Sequence, residues 1–461
     1  MKSIKPMKST ALGLTLLLLV IALLLCLKPP DILHIGANYA AKSVCSNVFL
    51  AGRDADEVLR DDVQAPGVAI LRLMRVSVDR QRGVVRAGLL GFIGRGVAVL
   101  RPGAGCTVVP DGNIDFALRA VPAAAAPRTP PPADQPWPEG NGVTTVAALG
   151  RVLADDALAG PGMRAIVVVD HGRIAAERYG EGFSAQTPLL GWSMSKSVLA
   201  GLVGVLVREG RLTLDQSGGW PAGDGRERIR VADLLAMSSG LKFNETYGSV
   251  SDVTRMLYLE PDMARFARAQ PLIDPVGEHW NYSSGTALIL SRLVQDAAGL
   301  PGIEVANDEL FAPLGMSSAV MESDEHGTLV GSSFMYATAR DWARYALFLL
   351  QDGVWRGREL LPRGFVAMMA APVTSSGGGY GQGLVWLSGS DVSVPGRNPD
   401  AGFGIPADCF WMEGHDGQFG AVIASRQLAV LRLGLTPARA HYAPQPLVKA
   451  VLDALTQTPP N

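Results

Sequence analysis

The chain is poor in lysine, cysteine and histidine, and it has almost no net charge. Eight lysines stand against 33 arginines, and only Lys196, Lys242 and Lys449 lie beyond residue 42. Four cysteines are too few for a disulfide-built scaffold. No C-x-x-C pair occurs and the six histidines never fall at metal-ligand spacing, so no structural zinc, and no metal or organic cofactor, is expected. Forty-one basic and 43 acidic residues leave a formal charge of −2, which gives no footprint for a nucleic-acid partner. With 48% hydrophobic and 18% charged residues, an extended disordered chain is excluded. A single core rarely grows past ~250–300 residues, so the 461 residues predict two or three domains. No internal repeat is present. G-x-S-x-G is also missing, because Ser195 stands where its second glycine would be; this argues against an α/β-hydrolase.

One long apolar run is present. Lys2, Lys5 and Lys8 precede an uncharged stretch from Ser9 to Leu27, which Lys28-Pro29-Pro30 closes. At 1.5 Å per residue such a stretch reaches ~28 Å, close to the ~30 Å hydrocarbon thickness. Residues 1–30 are therefore read as a membrane anchor or signal, with the anchor preferred because no small-x-small site follows the run. The basic flank predicts a cytoplasmic N-terminus and a body that crosses. The expected location is the bacterial inner membrane, single-pass, with the catalytic domain periplasmic; secretion to the periplasm after signal cleavage is the alternative. Outside the cytoplasm disulfides form, and a Cys45–Cys106 bridge is expected, two buried free thiols being the alternative. Cys409 reads as a packed apolar residue.

Residues 31–120 are read as a small β-rich domain, since short Val/Ile/Leu runs such as 66–70 and 96–100 alternate with glycine-containing turns. Residues 121–142 carry Ala123–Ala126, Pro130–Pro132, Pro136 and Pro138 and read as a linker with almost nothing to bury. Residues 143–461 mix helices and strands. A hairpin at 165–179 and strands at 419–424 and 428–435 enclose a largely helical middle, which points to an α+β fold.

Scarce lysine makes Ser193-Met194-Ser195-Lys196 informative. The apolar run 198–207 follows it, placing Ser193 at a helix N-terminus with Lys196 one turn on, on the same face. A serine hydroxyl needs a base to become a nucleophile, and a lysine serves only if burial or nearby positive charge lowers its pKa. A second match, Ser239–Lys242, follows a helix that ends at Gly240, so its serine and lysine would not share a face. The adjacent carboxylates Asp324 and Glu325 are read as facing solvent rather than as a glycosidase pair.

Four segments, Gly191–Ser197, Leu234–Leu241, Trp280–Ser284 and Pro313–Met316, occur in an order that resembles the serine β-lactamase and penicillin-binding-protein superfamily. The likeness is to its class C-type branch, and Phe243–Tyr247 is similar to a segment of the 6-aminohexanoate-dimer (nylon-oligomer) hydrolases. The resemblance spans roughly residues 143–455. It implies an antiparallel sheet flanked by helices plus a helical subdomain, and it assigns roles. Ser193 would be acylated, Lys196 would be its base, and Tyr282 would shuttle a proton to the leaving group. A phenol of ordinary pKa ~10 does this only beside a cation such as Lys196. Ser284 stands where β-lactamases have asparagine, which removes a grip on the substrate.

No K-T-G triplet occurs. His415-Asp416-Gly417 takes its place, with Gly417 giving the substrate backbone room and the Gln418 N–H joining that of Ser193 in an oxyanion hole. Histidine in place of lysine brings less fixed positive charge near neutrality. Tyr247 would contact the bound amide. The expectation is an extracytoplasmic serine hydrolase acting through an acyl-enzyme on a small-molecule amide or ester, attached to the membrane through residues 9–27. The alternatives are a β-lactamase or D-Ala peptidase acting on peptidoglycan, and a non-catalytic module that only binds. No protein partner is indicated.

Overall fold

The computed structural model describes residues 27–119, 128–389 and 398–456. Residues 1–26 of the anchor or signal read at 1–30 lie outside this range. Among the described residues no helix is long and apolar enough to cross a membrane.

Five antiparallel strands form the central sheet. Its members are β5 (Met163–Asp170), β6 (Arg173–Tyr179), β7 (Cys409–Gly414), β8 (Gln418–Ile423) and β9 (Leu428–Gly434), in the order β7-β8-β9-β5-β6. Both faces are covered, so β5 reads as an unbroken apolar run instead of alternating. Ala165, Val167 and Val169 face one core, Ile166 and Val168 another. The first core holds α2 (Met194–Arg208), α3 (Ser284–Ala298) and α4 (Ala339–Leu350); the second holds α5 (Gln445–Thr456). Short helices at 231–235, 252–259, 263–268 and 302–306 surround α3 in a helical subdomain.

The chain ahead of this body contains four strands, β1 (Met74–Asp79), β2 (Val84–Leu89), β3 (Ile93–Arg101) and β4 (Gly105–Val108), paired in sequence order. It also contains a helix that the sequence reading did not anticipate, α1 (Asp31–Phe49). Leu33, Ala37, Ala41, Val44 and Val48 recur at helical spacing and are buried, a pattern masked by the small residues between them. The run 66–70, read as a strand, leads instead into a 3-10 turn at Ala69–Leu73. Helix α1 lies close on β3: a Cβ added at Gly96 would stand 2.4 Å from the Ala37 and Asn38 backbone. Cys45 on α1 is bonded to Cys106 on β4. Cys409 is a buried free thiol.

The proline-rich stretch departs from its linker reading. Trp137 is 1% exposed, and Arg344 donates to Gly140 O at 2.7 Å. Residues 128–142 are thus laid against the body, because one indole and several carbonyls find partners there.

Charged groups join residues 27–119 to the body. Buried Lys42 pairs with buried Glu322, which also accepts from Ser46 Oγ at 2.9 Å and Cys106 N at 2.6 Å. Arg101 donates to Ser323 O at 2.7 Å, and Asp62 accepts from Arg164 at 2.6 Å. Asp324 and Glu325 do not face solvent: each is 1% exposed, because the chain folds back over them beside Arg101. Burial pushes both carboxyls up to about 7, although Asp324 accepts from the Met263 and Thr328 N–H groups. The folded state therefore holds protons that the unfolded chain releases above ~pH 4. Their contribution to stability is present at low pH and is lost as pH rises to about 7. The melting temperature should be several degrees higher at pH 5.5 than at pH 8 in calorimetry, and Asp324→Asn with Glu325→Gln should flatten that difference. An unchanged slope in the double variant would contradict this reading.

Candidate active site

Ser193 is the residue that opens α2. The turn before it is strained: Trp192 has φ 48°, a left-handed conformation that costs a bulky residue ~1–3 kcal/mol. Packing maintains it. The indole lies 6.1 Å from the Phe334 ring and 5.7 Å from His415, and Ser195 Oγ donates to the Trp192 carbonyl at 2.5 Å. The Ser193 N–H carries no hydrogen bond among the described residues, so it is available to an oxyanion.

Lys196 lies one turn on and is 1% exposed. Its Nζ has three oxygen partners: Ser193 Oγ at 3.0 Å, Ser284 Oγ at 3.1 Å and Ser332 O at 2.9 Å. Burial lowers its pKa to about 8, and the charge of Glu245 keeps it from falling further. At pH 7 roughly one lysine in ten is then neutral.

The partners also orient the neutral amine. Ser332 O only accepts. Ser284 gives its own proton to Glu245 Oε1 while its N–H donates to Oε2 at 2.8 Å, so its oxygen accepts from Lys196. Ser193 is the one partner of the three with a hydroxyl proton still to give, and the lone pair of a neutral Lys196 faces it.

Ser284 is fully buried. Its hydroxyl is committed to Lys196 and Glu245, so it supports the lysine instead of meeting substrate, which corrects its placing among the substrate-binding residues. Glu245 was not singled out from the sequence as part of the site. It lay inside the Phe243–Tyr247 segment, but a carboxylate acting on a serine 39 positions away has no local signature.

Tyr282 reaches the site from the loop before α3. Asn281 N–H donates to Met237 O at 2.9 Å, which joins the Trp280–Ser284 and Leu234–Leu241 segments. Lys196 Nζ stands 4.8 Å from the Tyr282 ring centroid. Trp386 and Tyr380 hold the ring at 5.3 and 6.0 Å, two neighbours that nothing in the sequence picked out. The phenol is not lowered by the nearby amine. Burial first, and then Glu245, push it well above its ordinary value, with Ser193 beside it offsetting part. Tyr282 is thus a neutral hydroxyl that can relay a proton, not a phenolate.

Within the 415–418 segment, Gly417 differs from its expected role. His415-Asp416-Gly417 forms the tight turn between β7 and β8, with Asp416 at φ 60° and Gly417 at φ 80°. A Cβ at Gly417 would meet Arg432 and Thr436 at 3.1 Å. The glycine therefore serves the turn, and the space beside it is filled by protein, not open to substrate. The Gln418 side chain turns inward, donating to His415 O at 3.2 Å and accepting from Gly434 N at 2.8 Å. His415 stacks on Tyr247 at 4.9 Å. These two rings and Trp192 form one wall of a cleft of about 340 Å³. The rival Ser239–Lys242 lies outside any helix, and the Ser239 hydroxyl accepts from Leu241 N at 3.3 Å. Among the described residues no cluster of three or more His, Cys, Asp or Glu is arranged to hold a metal.

Comparison with known proteins gives the family and the fold. The family model described as Beta-lactamase matches residues 154–436. A 6-aminohexanoate-dimer hydrolase from Paenarthrobacter ureafaciens is 26% identical over 281 residues, covering 54% of this chain and 69% of that protein. Two solved structures share the fold. A candidate 6-aminohexanoate-dimer hydrolase from Bacillus anthracis is 18% identical with a TM-score of 0.53, covering 79% of this chain and 92% of that one. A penicillin-binding-protein homologue from Caulobacter crescentus is 18% identical with a TM-score of 0.51, covering 68% and 99%.

A base that must be neutral fixes the pH profile. For a chromogenic ester, kcat/KM should rise about tenfold per pH unit below the lysine pKa and level off above about 8. Glu245→Gln removes the charge that holds this pKa up, so the inflection should move to lower pH. An inflection that stays in place, or moves upward, would contradict the assigned electrostatics.

Proposed function

The chain belongs to the beta-lactamase family, and from that premise we propose that it is a serine hydrolase that cleaves amide or ester bonds through an acyl-enzyme on Ser193. The observation that carries this is the 3.0 Å contact between Ser193 Oγ and a buried amine whose pKa is lowered to about 8. Ser193 Oγ bonds to the substrate carbonyl carbon as its proton passes to Lys196 Nζ. The tetrahedral intermediate places negative charge on the former carbonyl oxygen, where the free Ser193 N–H and the start of α2 favour it. The carbon–nitrogen or carbon–oxygen bond then breaks, and Tyr282 relays the proton from Lys196 to the departing amine or alcohol. Water repeats the sequence on the acyl-enzyme and releases the acid. The Gln418 N–H is the proposed second oxyanion donor. The Paenarthrobacter relative makes linear amides a substrate class to test, and His415 in place of a lysine weakens selection for a carboxylate such as that of a β-lactam.

The same reading places the body outside the cytoplasm, held to the membrane by residues 9–27. Three observations support it: the basic flank before the apolar run, the Cys45–Cys106 disulfide, and exposed Leu73, Leu90 and Phe92. The Leu90 N–H donates to Leu73 O, and the same hairpin packs on Leu33 through Gly94, at the end of α1 where the chain arrives from that run.

A fluorophosphonate probe should label the wild-type chain and fail on Ser193→Ala, while Lys196→Ala should slow labelling by ~10²–10⁴. Labelling that survives Ser193→Ala would move the nucleophile elsewhere. A panel of nitrophenyl esters, the linear aminohexanoate dimer and nitrocefin separates the substrate classes, and turnover of nitrocefin alone would favour the β-lactamase alternative.

A further inference from the structure

The cleft lined by Trp192, the residue before the nucleophile, has two walls of different origin. The body supplies Trp192, Tyr247 and His415; the facing wall comes from residues 32–71, which lie outside the 154–436 match. Helix α1 contributes Ile32, Ile35 and Tyr39, one turn apart, so a single apolar stripe faces inward. The strap that follows adds Val68 and Leu71. It meets the Tyr247 loop: a Cβ built at Gly248 would stand 3.6 Å from Val68, so one end of the cleft narrows to a slot.

Two charged groups at the rim are engaged with protein. Arg439 gives an N–H from each terminal nitrogen to the strap, at 2.7 Å from the carbonyls of Ala65 and Pro66. Asp416 lies 3.5 Å from His415 Nε2. Apart from these three side chains the lining carries no ionisable acid or base, only apolar residues, hydroxyls and glycines. Tyr247, stacked in this cleft, belongs to the same segment as Glu245, which holds the Lys196 partner Ser284.

We infer that this cleft is the acyl-chain subsite, and that the segment before the family domain supplies its outer wall, so the enzyme selects esters or amides of uncharged aliphatic acids. The inference rests on the serine-hydrolase reading. At ~30 Å³ per water-sized group, the 340 Å³ accommodates roughly ten such groups, enough for a medium-length acyl chain. Each methylene transferred from water to this wall should raise kcat/KM by up to about fourfold.

The test uses the full chain in phosphatidylcholine nanodiscs with p-nitrophenyl acetate, butyrate and hexanoate. Hexanoate should exceed acetate at least tenfold in kcat/KM. Val68→Trp, at a position 46% exposed, should lower the hexanoate-to-acetate ratio of kcat/KM at least fivefold; Ile32→Asp should do the same. Equal rates on acetate and hexanoate, or variants that slow both alike, would overturn the subsite and leave the hydrolase reading standing. Acetate turnover that persists in Ser193→Ala would instead remove Ser193 as the nucleophile, and with it the reading on which the subsite rests. Binding separates the two claims without turnover. In Ser193→Ala, N-methylhexanamide should bind saturably by calorimetry and lose that binding when Val68→Trp is added; no saturable binding would overturn the subsite.

Discussion

The site depends on one amine being buried without an acid to pair with. Lys196 loses most of its hydration inside α2, and its three oxygen partners are two hydroxyls and a carbonyl. A direct salt bridge would have opposed the resulting loss of charge, as Glu322 does for Lys42 elsewhere in the chain, where burial nonetheless lowers the lysine. Here the nearest carboxylate, Glu245, is one serine removed. That distance lets it temper the lysine without holding it charged, and it commits the Ser284 proton so that the lone pair of Lys196 is aimed at Ser193.

Several otherwise costly features follow from this requirement. The left-handed Trp192 raises Ser193 onto the helix start, and the buried Phe334 ring on one side and the His415 ring on the other sustain the strain. Tyr282 is kept neutral by burial, so proton acceptance and proton relay fall to different groups: the lysine titrates in the working range and the phenol does not. Residues 27–119 are joined to the body by buried ion pairs and hydrogen bonds, which places α1 as a fixed wall of the cleft.

Local patterns were legible in the sequence. The S-x-x-K spacing on an apolar helix located Ser193 and Lys196, and the hairpin and C-terminal strands located the sheet. Helix α1 was not legible, because alanine, serine and glycine dilute its apolar stripe and the run was read with the strands after it. Burial of Asp324 and Glu325 depends on Arg101 more than 200 positions earlier, and the Glu245–Ser284 link spans two loops; no local period encodes either. The 415–418 turn was found in the right place, but its glycine and its glutamine side chain serve the turn itself. Trp137 shows the same limit: proline content described the chain around it and said nothing of where one indole would be buried.

The state of the Lys196 amine can be measured directly. With only eight lysines in the chain, 13C-lysine labelling and a Lys196→Arg reference should allow its ε-carbon signal to be assigned and titrated by NMR. A midpoint near 8 in the resting protein is the predicted result. A midpoint near the ordinary ~10.4 would mean that the amine stays charged beside Ser193, and the account of how that serine is activated would be wrong.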